Sequence, residues 1–198
     1  AYIAKRLNHL HHRLADYQPR EPRPKGLLAR FGFGGKEGEN TDQPIGLYIY
    51  GGVGRGKSML MDLFHQTVAV ERKQRVHFHR FMIDVHDRLH QRRQAVRNGD
   101  DHDVIAEVAE QIAETSWLLC FDEFHVTNIT DAMILGRLFE ALFARGVIVI
   151  ATSNWAPDDL YKDGLQRELF LPFIAMIKDQ LEVVDLDHAT DYRQARIQ

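Results

Sequence analysis

The octapeptide Gly51-Gly52-Val53-Gly54-Arg55-Gly56-Lys57-Ser58 constrains this chain more than any other feature. It satisfies G-x-x-x-x-G-K-[ST], follows the apolar run Gly46 to Tyr50, and opens an amphipathic segment from Lys57 to Val70. That strand, loop and helix are the context the pattern needs. Glycines let the main chain wrap so tightly that successive N–H groups converge on phosphate oxygens, while the positive end of the following helix favours the anion. Gly51, Gly52, Val53, Gly54, Arg55, Gly56, Lys57, Ser58 and Met59 are therefore the expected phosphate cradle. Lys57 should reach the β and γ phosphates, and the Ser58 hydroxyl should be a Mg2+ ligand. The plain alternative is a glycine-rich turn, which the flanking apolar run and amphipathic segment make less economical.

Beyond the loop, short apolar runs alternate with longer amphipathic segments, the pattern of a parallel sheet covered by helices. Five strands are predicted, at Gly46 to Tyr50, Val76 to Phe81, Trp117 to Asp122, Val147 to Thr152 and Leu181 to Leu186. Helices are predicted at Lys57 to Val70, Met82 to Arg97, Val104 to Thr115 and Asp131 to Ala144, with one or two pieces between Pro157 and Lys178. Upstream, Ile3, Leu7, Leu10, Leu14 and Tyr17 paint one stripe on a helix expected from about Tyr2 to Tyr17, making residues 1–18 an N-terminal amphipathic helix. Residues 19–44 read as a Pro/Gly-rich linker, and 45–198 as the nucleotide-binding core.

Leu118-Leu119-Cys120-Phe121-Asp122-Glu123 delivers two carboxylates at the C-terminal end of a strand, where open α/β sheets bind their ligands. Asp122 is placed to hold Mg2+ through a water, and Glu123 to polarise a second water that attacks the γ phosphate. Val147 to Asn154 is a second apolar strand ending in polar residues. Asn154 can bond the attacking water or the γ phosphate if its strand lies between the other two. A simple cap of the turn before Pro157 is the competing role for Ser153 or Asn154. Without an NKxD stretch to read guanine, adenine is the expected base.

The 198 residues suffice for one substantial core, and 44% apolar with 27% charged composition excludes disordered and collagen-like classes. A net charge of -3 makes no global case for nucleic acid or membrane. A single cysteine, Cys120, forbids an intrachain disulfide and favours a reducing compartment. The charge is nevertheless uneven. Eight Lys or Arg fall between Glu71 and Arg97, whereas Asp100 to Asp131 carries nine acids and no Lys or Arg, so complementary faces between subunits compete with solvated helix faces as the reading. His77 with His79, and His86 with His90, share faces, but no third zinc ligand follows at a matching offset.

The strings Gly-Leu-Tyr-Ile-Tyr-Gly-Gly-Val-Gly-Arg-Gly-Lys-Ser (46 to 58), Val-His-Phe-His-Arg-Phe-Met (76 to 82), Cys-Phe-Asp-Glu-Phe-His-Val-Thr (120 to 127) and Ala-Thr-Ser-Asn (151 to 154) closely resemble the ZapE family of AAA+ ATPases. Asp163 to Arg167 and Asp191 to Arg193 continue the resemblance. It implies an α/β P-loop NTPase with a parallel five-stranded sheet in the order 5-1-4-3-2, ATP and Mg2+ as cofactors, and a homo-oligomer. Asn154 then resembles the sensor residue, and Arg167 the arginine finger that enters a neighbour's site, with Arg137 and Arg145 as rivals. The resemblance also implies a cytoplasmic bacterial cell-division ATPase associated with the FtsZ ring, or a mitochondrial matrix protein of quality control linked to the inner membrane through its partners.

AAA+ proteins carry a helical lid after the last strand, and this chain ends at Gln198, so a missing lid is expected, as is a missing native start before Ala1. Two other functions remain open on the residues: a nucleic-acid-associated loader, for which the basic stretch from Arg72 to Arg97 speaks, and a small-molecule kinase.

Overall fold

In the computed structural model, residues 2–19, 43–54, 56–95 and 103–187 are described. Most of the expected linker, Arg55 and the Asp191 to Arg193 stretch lie outside them. The elements run α1 (Tyr2–Arg13), β1 (Gly46–Tyr50), α2 (Lys57–Thr67), β2 (Lys73–His77), α3 (Phe78–Ala95), α4 (Val104–Thr115), β3 (Leu118–Asp122), α5 (Ile129–Ala144), β4 (Ile148–Ser153), α6 (Leu171–Gln180) and β5 (Leu181–Asp185). Two single turns of 3-10 helix, Pro157–Asp159 and Arg167–Leu169, precede α6. Among the described residues no helix is long and apolar enough to cross a membrane.

The five strands form one parallel sheet in the order β2-β3-β4-β1-β5. This is the expected 5-1-4-3-2 order, and it sets the Asn154 strand between the phosphate-loop strand and the acidic strand. Alternation along each strand splits the apolar side chains between two faces. Tyr48, Leu119, Phe121, Val149 and Ala151 face α3 to α6, while Leu47, Ile49, Leu118, Cys120, Ile148 and Ile150 face α1 and α2. Gly46 is required by this close packing: a Cβ there would collide with the Val149 main-chain oxygen and with Leu181.

The edge strand differs from expectation. It covers Lys73–His77, and Phe78 starts a helix instead of extending the strand. Phe78, Phe81, Met82, Val85 and Leu89 recur at helical spacing, and all five are buried against the sheet. That periodicity outweighs the β propensity of the aromatic run. His79 is consequently on α3 and not beside His77 on a strand face. Phe121 anchors the layer, with its ring centroid 4.8 Å from that of Phe81 and 5.7 Å from that of Phe78.

α1 buries Ile3, Leu7 and Leu10 along its stripe but stops at Arg13, short of the expected Tyr17, because a turn with Asp16 at φ 58° follows; Leu14 is still buried just beyond the helix end. Arg6 and Tyr2 bond Glu182 of β5, and His11 Nε2 lies 2.9 Å from the Thr67 carbonyl at the end of α2. Part of the uneven charge is resolved inside the chain. Arg92 faces Glu107 at 3.6 Å, Arg137 faces Asp103 at 2.8 Å, and Arg145 faces Glu110 at 4.0 Å. His86 Nε2 lies 2.6 Å from the buried Asp131 carboxylate, and His90 bonds Gln94. No group of three or more His, Cys, Asp or Glu placed to hold a metal occurs among the described residues.

Candidate functional site

Strand β1 hands directly into the phosphate loop, where the Gly51 N–H donates to the Ser153 carbonyl at 3.3 Å and so extends the β1–β4 pairing by one step. Gly54 and Gly56 have φ of 78° and 79°, in the left-handed region where a side chain is strained. Gly56 is the N-cap of α2 and offers no side-chain acceptor to the helix's first turn. Helix starts of this kind present N–H groups and the positive dipole end to an anion. Val53, Ser58 and Met59 are exposed around this turn. Lys57 Nζ donates to the carbonyls of Gly51 and Gly52, each at 2.7 Å, spanning the loop. The Gly52 N–H donates to Asp187 Oδ2 at 3.1 Å, which ties the exit of β5 to the same loop.

Asp122 closes β3 with its side chain only 10% exposed. Arg75, in the middle of β2, clasps it: Nε donates to Oδ2 at 2.7 Å and Nη2 to Oδ1 at 3.2 Å. The same guanidinium bonds Asp62 of α2 through Nη1, and its Nη2 lies 3.5 Å from the Ser58 carbonyl. One side chain therefore touches the acidic strand end and the first turn after the phosphate loop. The hydrogen bond to Asp122 raises the Arg75 pKa further, keeping the guanidinium charged.

Glu123 has φ 54°, a conformation that costs a non-glycine residue on the order of 1 kcal/mol. It ends the strand there and leaves its side chain 80% exposed, with Oε2 3.9 Å from His77 Nδ1. The turn that follows is held by β4. The Thr152 hydroxyl donates to the Phe121 carbonyl at 3.3 Å, the Ser153 hydroxyl donates to the Phe124 carbonyl at 2.7 Å, and the Phe124 N–H donates to the Thr152 carbonyl at 2.7 Å. Ser153 Oγ also accepts from the Trp155 N–H at 3.1 Å, so the capping role falls to Ser153. Asn154 is the first residue beyond β4 and is exposed. His125 packs against Trp155 with ring centroids 5.2 Å apart and the planes tilted by 34°, and desolvation holds its pKa below the usual histidine value.

Arg167 stands apart from these groups in sequence, on the second 3-10 turn. Its Nη2 donates to the Asp158 carbonyl at 2.6 Å, while its Nε is buried without a hydrogen-bond partner. Leu165, Leu169 and Leu171 are exposed around it. Cys120 is fully buried, and burial pushes its thiol up to about 12, which fits a packing role.

Sequence reasoning does not find Arg75, Asp187, Thr152 or the His77 contact. Arg75 sits in a polar edge strand, Lys-Gln-Arg-Val-His, with no apolar alternation to mark it. The one usable signal is a strand-length gap between Thr67 and Phe78, once Phe78 is assigned to the helix.

A phosphate loop beside an acidic strand end, on a parallel sheet of this order, defines a P-loop NTPase of the AAA+ group. The family model for AFG1-like ATPases matches residues 1–198, and the chain belongs to that family. The cell division protein ZapE of Escherichia coli K12 is 48% identical over 190 residues, which cover 95% of this chain and 49% of ZapE. Lactation elevated protein 1 homolog B of Danio rerio is 52% identical over 163 residues, covering 80% of this chain and 32% of that protein. The chain thus spans half or less of the length of these curated relatives. Among solved structures, DnaI aligns with a TM-score of 0.56 at 12% identity, covering 93% of this chain and 80% of that one, a likeness of fold.

Proposed function

We propose that this chain is the catalytic core of a Mg2+-dependent ATPase. The observation that carries the reading is the Arg75 guanidinium, which bonds the Asp122 carboxylate and lies 3.5 Å from the Ser58 carbonyl. It makes the phosphate loop and the acidic strand end neighbours, as a single reaction site requires. The main chain from Gly51 to Met59 cradles the phosphates, and Lys57 exchanges the Gly51 and Gly52 carbonyls for β- and γ-phosphate oxygens. The residues fit the metal: a hydroxyl on Ser58 and a nearly buried carboxylate on Asp122 are the hard oxygen donors Mg2+ takes. When bound, Mg2+ neutralises charge developing on the transferred phosphoryl group. Glu123, exposed just beyond, draws a proton from the attacking water, and Asn154 orients that water or the γ phosphate.

Arg167 serves as the arginine finger toward a second copy of the chain, so full turnover needs a homo-oligomer. Its exposed leucine surround supports this role; its guanidinium is held by a neutral carbonyl, that of Asp158, whereas Arg137 and Arg145 are paired with acids of their own chain. The work done with ATP is on protein partners. The name of the E. coli relative supports cell division, for which the FtsZ ring in the bacterial cytoplasm is the proposed setting, with protein quality control in the mitochondrial matrix as the eukaryotic counterpart.

The deciding experiment compares Glu123→Gln with the parent chain. The variant should bind ATP with affinity within about threefold and hydrolyse it at least about a hundredfold more slowly. Undiminished turnover would remove Glu123 from the mechanism.

A further inference from the structure

We propose that Arg75 competes with the divalent cation for the Asp122 carboxylate, and that productive binding of metal and ATP passes the guanidinium from Asp122 to Asp62. The proposal rests on the reading of Asp122 as a metal ligand. Both Asp122 oxygens accept from Arg75, at 2.7 and 3.2 Å, in the forked geometry that arginine makes with carboxylates. A divalent ion drawing on the same carboxylate comes close to a fixed positive charge. Arginine cannot relieve that repulsion by losing its proton, since the guanidinium is strongly basic in water and its bond to Asp122 makes it more so. Relief has to come from movement.

The structure provides somewhere to move. Asp62, one helical turn beyond Ser58 on α2, already bonds Nη1 of the same guanidinium, and its side chain is 55% exposed against 10% for Asp122. Arg75 itself is 21% exposed. A rotation toward Asp62 therefore carries the guanidinium outward, keeps it paired, and leaves Asp122 to the metal. Neither charge is stranded at any point, which is the condition for moving charges in a poorly solvated place. Arg75 is thus a positioning residue that sets how much Mg2+ is needed for nucleotide to bind.

The test is a Mg2+ titration of fluorescent mant-ATP binding to the full chain, begun in EDTA, with thermal melting of each variant run alongside. Arg75→Gln should lower the half-saturating Mg2+ concentration by about threefold or more, while lowering the melting temperature of the protein without nucleotide. Asp62→Asn, which removes the outward partner and holds Arg75 on Asp122, should raise that concentration by a similar factor. A requirement for Mg2+ that is unchanged or raised in Arg75→Gln overturns the proposal, because the guanidinium would then be indifferent to the metal or support it. If Arg75→Gln does not fold, Asp62→Asn decides alone: a raised requirement supports the exchange, and an unchanged or lowered one overturns it. Failure of the parent chain to bind mant-ATP even at saturating Mg2+ would refute the nucleotide reading itself and take this proposal with it. Normal binding by the parent with no shift in the variants refutes only the exchange.

Discussion

The Ser153 hydroxyl donates to the Phe124 carbonyl at 2.7 Å, so the strand that delivers Asn154 also fastens the turn just after Asp122 and Glu123. Both groups are buried, and neither has water to fall back on. Ser153→Ala leaves the carbonyl without that donor and should cost about 1–3 kcal/mol, a loss of several degrees in melting temperature for a domain of this size. Turnover should fall roughly tenfold with little change in nucleotide affinity, since the misplaced group is the acid and not the cradle. Calorimetry and steady-state kinetics read the two effects separately.

Lys57→Ala should abolish ATP binding, measured by mant-ATP fluorescence, while leaving the melting temperature within a few degrees of the parent. The two bonds from Nζ to the Gly51 and Gly52 carbonyls lie in a partly solvated loop and contribute about 1 kcal/mol each at most.

The stability of the fold should fall as pH drops below about 6.5, the ordinary histidine value. Burial lowers the pKa of His65 and of His125 in the folded chain, so the unfolded chain binds more protons between the lowered values and 6.5. The stabilisation is complete above that window and lost on the way down through it. Lys73 and Arg75 add to the effect at His65, whose Nε2 is buried without a hydrogen-bond partner. Replacing both histidines by glutamine should flatten urea-denaturation midpoints measured between pH 5 and pH 7.

Cys120 should resist alkylation. Its thiol is buried and held at about 12, so iodoacetamide at pH 8 should leave the folded chain unlabelled and modify it only on unfolding. Rapid labelling of native protein would show that β3 opens locally, a result readable by mass spectrometry.

Gly46→Ala should prevent or severely weaken folding, because the added carbon meets the Val149 main chain, which cannot rotate away. Such a clash costs about 3 kcal/mol or more, visible as a collapse of the urea midpoint.

The phosphate loop and the acidic and polar strand ends were legible because each rests on local chemistry, a glycine run after β1, carboxylates where β3 ends and polar residues where β4 ends, whereas the sheet order came from the family resemblance and from no local pattern. The strand β2 was misplaced because Phe78 and Phe81 satisfy two patterns at once, and only their continuation into Met82, Val85 and Leu89 separates helix from strand. Arg75 was hidden for a related reason. Its importance comes from registry, with Arg75 beside Cys120 and His77 beside Asp122, and no stretch of β2 alone reveals which strand it will join. Asp187 contacts Gly52 across the sheet from 135 positions away, a separation that no local pattern spans.

Because all five strands point the same way, the candidate site lies on one rim of the sheet and the opposite rim is silent. Gly46, Lys73, Leu118, Ile148 and Leu181 begin the strands on the silent side. A tether or surface attachment introduced there, for instance at the exposed Glu71, should hold the molecule still and leave the phosphate loop, Asp122 and Asn154 on the other rim uncovered. Single-molecule handling of this protein therefore has a natural grip.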